Sequence, residues 1–484
     1  MQEENTRRSR GETGESRRSR QAGQVGTVSR GRSRGRAVSR RRKKRGPSVL
    51  ALGLLLAILC VGGVGAAALL SRSQGQGEEE PGKRIQGETF PGDPGVSGEN
   101  DGSGADPAEG VSGGHEGGES GGDSSQRADT SGTGRSTPQE QLAAMTLEEK
   151  AAQIFLVTPE ALTGYSQVTQ AGEATREALE TYPVGGLIYF SQNLQSPEQV
   201  KAMTAGVQEY ARQIQGLPLF LAIDEEGGTV ARLGNHPAFG LPKIENMAEI
   251  GAKKDGERAY EVGTVIGSYL KEYGFNMDFA PDADVLTEPG NRAIGSRSFG
   301  DDPELVAELS GQVAKGLREQ GIMPVYKHFP GHGATAGDTH EGFAEADRTL
   351  EELKAAELIP FQAAAQSGAE CIMAAHISLP QVIGDGTPAS LSPVMLTEVL
   401  RGDLGFDGLI VTDALNMGAI TEHYTAGEAA VKAFQAGADL LLMPEDLPAA
   451  YEAILQAVRS GKISEERLDQ SVGRILERKA EMEW

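Results

Sequence analysis

The apolar and polar positions of the chain fall into two regimes. From about Pro138 onward, eight short apolar runs recur: QIFLV at 153, GGLIYF at 185, LFLAID at 219, FNMDFAP at 275, IMPVYKHF at 322, CIMAAH at 371, LIVTDA at 409 and DLLLMP at 439. Segments with helical periodicity lie between most of them, among them Pro303–Gln320, Leu350–Ser367 and Glu428–Ala436. Thr146-Leu-Glu-Glu149 has the spacing of a capping box and predicts a helix start. Near the other end, Ser464–Lys479 puts Leu468, Val472, Ile475 and Leu476 on one helical face. Continuous apolar strands alternating with helices predict a parallel sheet covered on both faces. Eight such units in roughly 345 residues give the count of an α/β, TIM-type (β/α)8 barrel, spanning 138–484. The competing architecture is a doubly wound open sheet, which has no preference for eight.

Before Pro138 the pattern is different. Ser48–Leu70 (SVLALGLLLAILCVGGVGAAALL) carries no charge and is long enough to cross a hydrocarbon core of about 30 Å as a helix. The flank RRRKKRG favours a cytoplasmic N-terminus. A cleaved signal peptide is the alternative, but the roughly 47 preceding residues exceed an ordinary n-region. A lipid anchor on Cys60 is disfavoured by Leu59, where a small residue is wanted. Residues 71–137 are rich in Gly, Ser, Glu and Asp and too poor in aliphatic residues to bury a core. They read as a disordered stalk with a reach of about 45 Å. The expected order is therefore a disordered basic tail (1–47), one transmembrane helix (48–70), a linker (71–137) and an outward-facing barrel.

Charge sharpens that picture. Through Gly46 there are 16 Lys+Arg against 4 Asp+Glu, while the whole chain is −23, so the remainder sums to −35. Arg/Ser/Gly repeats could hold phosphate backbones, but beside a membrane the same charges serve orientation and anionic lipid, and no nucleic-acid partner is expected. The two cysteines, Cys60 and Cys371, cannot form a disulfide framework, so stability must come from a core. The anchor and stalk are compatible with a monomer.

In a barrel, chemistry sits at the C-terminal ends of the strands. There the sequence places Asp224 after strand three, Asp282 and Asp284 after strand four, and Lys327-His328 at the end of strand five, ahead of FPGHGATAGDTH. Strand six runs out in His376 and strand seven in Asp413. One ionisable residue ending an apolar strand is commonly structural; five consecutive strands ending so point to a site.

These residues resemble the family-three glycoside hydrolases, in their bacterial β-N-acetylglucosaminidase branch. The matching stretches are DEEGGTVAR (224–232), RSFG (297–300), KHFPGHGATAGDTH (327–340) and GFDGLIVTDALNMGAI (405–420). The resemblance implies Asp413 as nucleophile of a retaining reaction, His340 as acid/base and Asp338 as its partner. An imidazole suits both proton-transfer roles near neutral pH. It further implies Asp224, Arg232, Arg297, Lys327 and His328 as sugar-holding residues, no metal and no cofactor. The implied substrate is carbohydrate: terminal β-linked N-acetylglucosamine in cell-wall fragments.

His332 and His376 each keep two readings, loop-shaping or cap on one side and pocket on the other. Two departures from the family pattern stand out. Ala334 replaces the Asp of the usual GHGDT, which is expected to alter loop packing and not to abolish activity, and Thr339 replaces a Ser. The chain runs only briefly past the last barrel helix, without the domain that supplies a Glu acid/base in β-glucosidases, which favours the His-based branch. Three rivals remain: a metal-dependent amidohydrolase using His328, His332, Asp338, His340, His376 and Asp413; a non-catalytic wall-binding protein; and a phosphorylase on the same sugars.

Overall fold

The structure, a computed structural model, describes residues 136–335 and 344–482. The basic tail, the apolar run 48–70, the stalk up to Arg135 and the pair Asp338 and His340 lie outside the described residues. Among the described residues no helix is long and apolar enough to cross a membrane.

All eight apolar runs contain a strand: β1 (Phe155–Val157), β2 (Gly186–Ile188), β3 (Phe220–Ile223), β4 (Met277–Asp278), β5 (Met323–Phe329), β6 (Cys371–Ala374), β7 (Leu409–Thr412) and β8 (Leu441–Leu442). They pair in parallel, in sequence order from β1 to β7, with β8 against β1. A parallel bridge between Val411 and Leu440 joins β7 to β8 and completes the circle. Every strand residue of the eight is buried. That is the burial expected of runs without polar alternation, whose inner face fills the barrel while the outer face meets helices.

The helices follow from local signals. α1 (Pro138–Ala144) and α2 (Leu147–Gln153) each start from a threonine capping box; Thr146 accepts from the Glu149 amide at 3.2 Å while its own amide donates to the Glu149 carboxylate at 2.8 Å. The crossovers carry α3 (Glu173–Thr181), α4 (Pro197–Ile214), α5 (Gly256–Glu272), α6 (Pro303–Glu319), α7 (Leu350–Ala355), α8 (Ile359–Gln366), a wide-pitched helix α9 (Val394–Asp403), and α10 (Ala426–Ala436). α11 (Leu447–Arg459) and α12 (Glu465–Ala480) end the chain, and α12 packs on α1 and α2. Leu468, Val472, Ile475 and Leu476 are fully buried on its inner stripe.

The segment expected as one helix over Leu350–Ser367 is two. Pro360 has no amide proton, and its ring would meet the carbonyl of Ala356 in a continuous helix. The chain breaks at Ala356 (φ −143°) and restarts with Pro360 in the first turn of α8.

Candidate active site

The C-terminal ends of the strands surround a cavity of about 550 Å³. Asp224, Arg232, Arg297, Lys327, His328 and Asp413 all line it, so the six described members of the sequence-derived set meet at one place. His332 lines it as well. His376 is not among the described lining residues.

Asp224 leaves β3 and enters a hairpin, Glu225–Gly227 against Val230–Ala231. Its turn passes through Gly227 (φ 88°) and Gly228 (φ 53°), a conformation that side-chain-bearing residues rarely adopt. The hairpin folds Arg232 back to 3.2 Å from Asp224. Alternation then separates the three acids of the DEEGG stretch. Asp224 and Glu226 face the cavity. Glu225 points the other way and accepts from the Leu233 and Gly234 amides (2.9 and 2.7 Å) and from Tyr269 (2.7 Å), pinning the loop beyond Arg232.

Lys327 and His328 are adjacent in sequence yet both reach the cavity. The reason is a bulge: Tyr326 pairs with Ile372 and Phe329 with Ala374, three steps on β5 against two on β6. Lys327 donates to Asp224 at 2.8 Å and approaches Glu226 at 2.7 Å. Arg297 sits in a short turn after β4 and grips Glu226 with two bonds, 2.8 and 2.7 Å. The next residue, Ser298, donates to the Asp284 carbonyl at 2.6 Å and fixes that turn to β4. His328 Nδ1 lies 2.7 Å from Asp284, which also accepts from the His332 amide. Gly333 passes so close to the segment after β4 that a methyl group there would fall 2.0 Å from the Val285 carbonyl oxygen. Ala334, the departure from GHGDT, is half-buried and packs against the core.

These contacts set the charges. Burial alone would raise Asp224, but Lys327 and Arg232 outweigh it and hold the carboxyl below its usual value. Glu226 is likewise held down, against burial, by Arg297 and Lys327. Burial would also raise Asp413, yet the His376 and His328 imidazoles and the Ala414 amide (2.8 Å from Oδ1) keep it ionised more readily than a free carboxyl. Asp282 goes the other way, raised by burial and by Asp284 beside it. His332 is pushed below its ordinary value by burial and by His328.

Three buried polar atoms at this end have no hydrogen-bond partner among the described residues: Arg232 Nε, Asp278 Oδ2 and Asp282 Oδ2. Asp282, Asp284 and His328 bring ligand atoms within 4.8 Å of one another. However, Asp284 is engaged by the His328 ring and by backbone amides, and Arg297 stands 3.5 Å from Asp282. A hydrogen-bonded cluster accounts for that trio.

Sequence reasoning missed Glu226, which joins two of the cationic residues. The signal was available, since two residues after Asp224 on an extended segment share its face. Phe190, Asn416 and Met443 also line the cavity, and Arg232 stacks over the Phe190 ring at 5.6 Å. Asn416 falls within the family-like stretch 405–420, whereas Phe190 and Met443 carry no sequence mark of function.

The strand ends of a parallel barrel thus gather carboxylates, two guanidinium groups and an ammonium around one cavity, where a hydroxyl-rich ligand would find both donors and acceptors. The profile of the "Glycosyl hydrolase family 3 N terminal domain" matches residues 146–478, and the chain belongs to that family. It is similar to beta-hexosaminidase A of Pseudoalteromonas piscicida, 33% identical over 327 residues, covering 63% of this chain and 55% of that protein. The beta-hexosaminidase of Chromobacterium violaceum is 36% identical over 291 residues, 58% of this chain and 78% of the relative. Among solved structures, a glycoside hydrolase family 3 beta-N-acetylglucosaminidase from Paenibacillus sp. superposes with a TM-score of 0.66 at 42% identity, covering 70% of this chain and 63% of that one. The chain thus spans little more than half the length of the Pseudoalteromonas relative.

Proposed function

We propose that the protein is a retaining β-N-acetylhexosaminidase acting on terminal β-linked N-acetylglucosamine. One observation carries the reading: Asp413, at the end of β7, lines the same cavity as Asp224, Arg232, Arg297, Lys327 and His328 and is held in its ionised form. An ionised carboxylate at that position can attack an anomeric carbon and form a glycosyl ester, which water then cleaves with retention of configuration. Asp224 would accept hydrogen bonds from sugar hydroxyls, while Arg232 and Lys327 supply donors to ring substituents. His340, oriented by Asp338, would protonate the leaving oxygen and then activate water; that assignment rests on the sequence resemblance. The hexosaminidase names of the relatives support the acetamido sugar.

On this reading the natural substrate is a fragment of wall glycan. Membrane anchoring through 48–70, with the barrel outside on its 71–137 stalk, would set a monomeric enzyme beside the wall.

The test uses the full chain with an aryl β-N-acetylglucosaminide and an aryl β-glucoside, with and without chelator and with added phosphate. Chelator-insensitive, phosphate-independent release from the acetamido sugar, lost by about 10³-fold or more in Asp413→Asn, supports the proposal. Release only with phosphate would make the enzyme a phosphorylase. No release from a folded protein would return weight to a wall-binding role.

A further inference from the structure

His376 is a buried histidine at the catalytic end of the barrel whose imidazole helps to keep Asp413 ionised and which also grips the backbone beside it. It follows β6 and is fully buried. Its Nε2 lies 2.9 Å from the Ala414 carbonyl oxygen and its Nδ1 lies 2.7 Å from Ser390 Oγ. A carbonyl can only accept, so Nε2 carries a proton. The serine hydroxyl can donate or accept, so it completes the ring in either protonation state. Ser390 is itself buried, and its amide donates to the Ala375 carbonyl at 3.0 Å. The ring is thereby fixed to the loop that leaves its own strand.

What His376 holds is the turn that carries the nucleophile. The Ala414 amide donates to Asp413 Oδ1 at 2.8 Å, and the Asp413 amide donates to the Ala374 carbonyl at 2.8 Å. β6 and the residues directly after it therefore grip the turn at two points. Ala374 holds it before the carboxylate, and His376 holds it one residue beyond. With both ends fixed, the Ala414 N–H has one direction from which to hold the carboxylate.

We propose that His376 is a positioning residue for Asp413: its Nε2–H anchors the Ala414 carbonyl and so sets the angle at which the nucleophilic carboxylate enters the cavity. Beyond its charge effect on Asp413 it acts through the backbone, and it is not among the described residues that line the cavity. The inference rests on Asp413 being the nucleophile. A misaligned carboxylate would bind sugar as before, because the sugar-holding residues stand on β3, β5 and the turn after β4. It would attack poorly, since reaction demands near-attack geometry while binding does not.

The experiment compares kcat and KM of the full chain with those of His376→Phe, His376→Gln and Ser390→Ala on the aryl β-N-acetylglucosaminide, with thermal unfolding measured for each. Phe keeps the volume and loses the donor; Gln restores a donor toward Ala414. His376→Phe is expected to lower kcat by about 10- to 100-fold with KM within about twofold, and His376→Gln to recover most of the loss. A His376→Phe protein with wild-type kcat, whatever its Tm, overturns the proposal, as does a Gln variant no better than Phe. Should His376→Phe not fold, Ser390→Ala decides, because it loosens only the far side of the ring: a severalfold fall in kcat at constant KM supports the role, and an unchanged kcat overturns it. An inactive wild-type chain is a separate outcome. It removes the hexosaminidase reading first, and this assignment falls with it.

Discussion

The barrel holds two buried clusters of charge, one at each end, and they are built on different rules. At the N-terminal end Asp439, just before β8, collects Arg401, Ser471 Oγ (2.6 Å), the Ile410 amide (3.0 Å) and Arg474 (3.3 Å). Arg401 also donates to the carbonyls of Phe406 and Gly408, and Arg467 to those of Phe434 and Ala438. Protein groups meet protein groups, and the cluster ties β7, β8 and α12 together. At the C-terminal end the cations and carboxylates face a cavity, and Arg232 Nε and Asp282 Oδ2 stay without hydrogen-bond partners. Around Asp439 charge is met by protein groups, whereas at the other end Asp224, Arg232, Arg297 and Lys327 line a cavity. This is the division of labour that barrels show between their two faces.

Three substitutions would break or sharpen the contrast. The largest effect is expected for Asp439→Asn, which leaves three guanidinium groups around a neutral amide. Loss of one partner from a buried charged cluster costs about 3–5 kcal/mol, read by chemical denaturation, while kcat of the folded fraction should hold. A fall in kcat without a stability loss would erase the distinction between the ends. Next comes Glu226→Gln, at the other end. Arg297 and Lys327 lose their shared counter-charge and drift, so kcat/KM should drop about 10- to 100-fold, with a stability change smaller than that of the Asp439 variant because cavity water can reach the freed charges.

The smallest of the three is Lys479→Met. Lys479 is fully buried, bonded to Gln153 at 2.8 Å and set over the Phe220 ring, and burial pushes its ammonium from 10.5 down to about 7. The unfolded chain therefore binds a proton that the folded one resists. The penalty is absent above the unfolded value, grows as pH falls from 10.5 to 7, and is constant below. Lys479→Met should stabilise the protein by about 2 kcal/mol at pH 7, with the advantage shrinking toward pH 10. Equal unfolding curves at both pH values would show that the lysine carries no such penalty.

Much of this molecule was legible in its sequence, for reasons that can be named. The eight strands stood out because strands buried on both faces need unbroken apolar runs. The residues ending them stood out because Asp224, Lys327, His328 and Asp413 are costly to bury beside such runs. Where local pattern met a tertiary question, legibility ended. Glu226 carries only the mark of alternation, two residues after Asp224 on an extended segment, and its ties to Arg297 and Lys327 need the fold. His376 could be pocket or cap until the position of Ala414, a residue 38 places later, was known. The break before Pro360 was readable in principle, since proline forbids the continuous helix expected over Leu350–Ser367.

The bulge in β5 has a consequence for how this strand can change. A strand is read two residues at a time, inside and outside, like a frame. One added residue between Tyr326 and Phe329 shifts that frame for two positions, and the pairing of Phe329 with Ala374 restores it. Deleting any single residue in this stretch would leave the frame unshifted. Loss of Lys327 or His328 would leave one cavity-facing side chain where two now stand, with Phe329 still opposite Ala374 and edge-on to Phe361, 5.5 Å between ring centres. Insertions and deletions tolerated by the loops of a barrel are thus closed to these four residues, whose spelling is fixed in length as well as in letters.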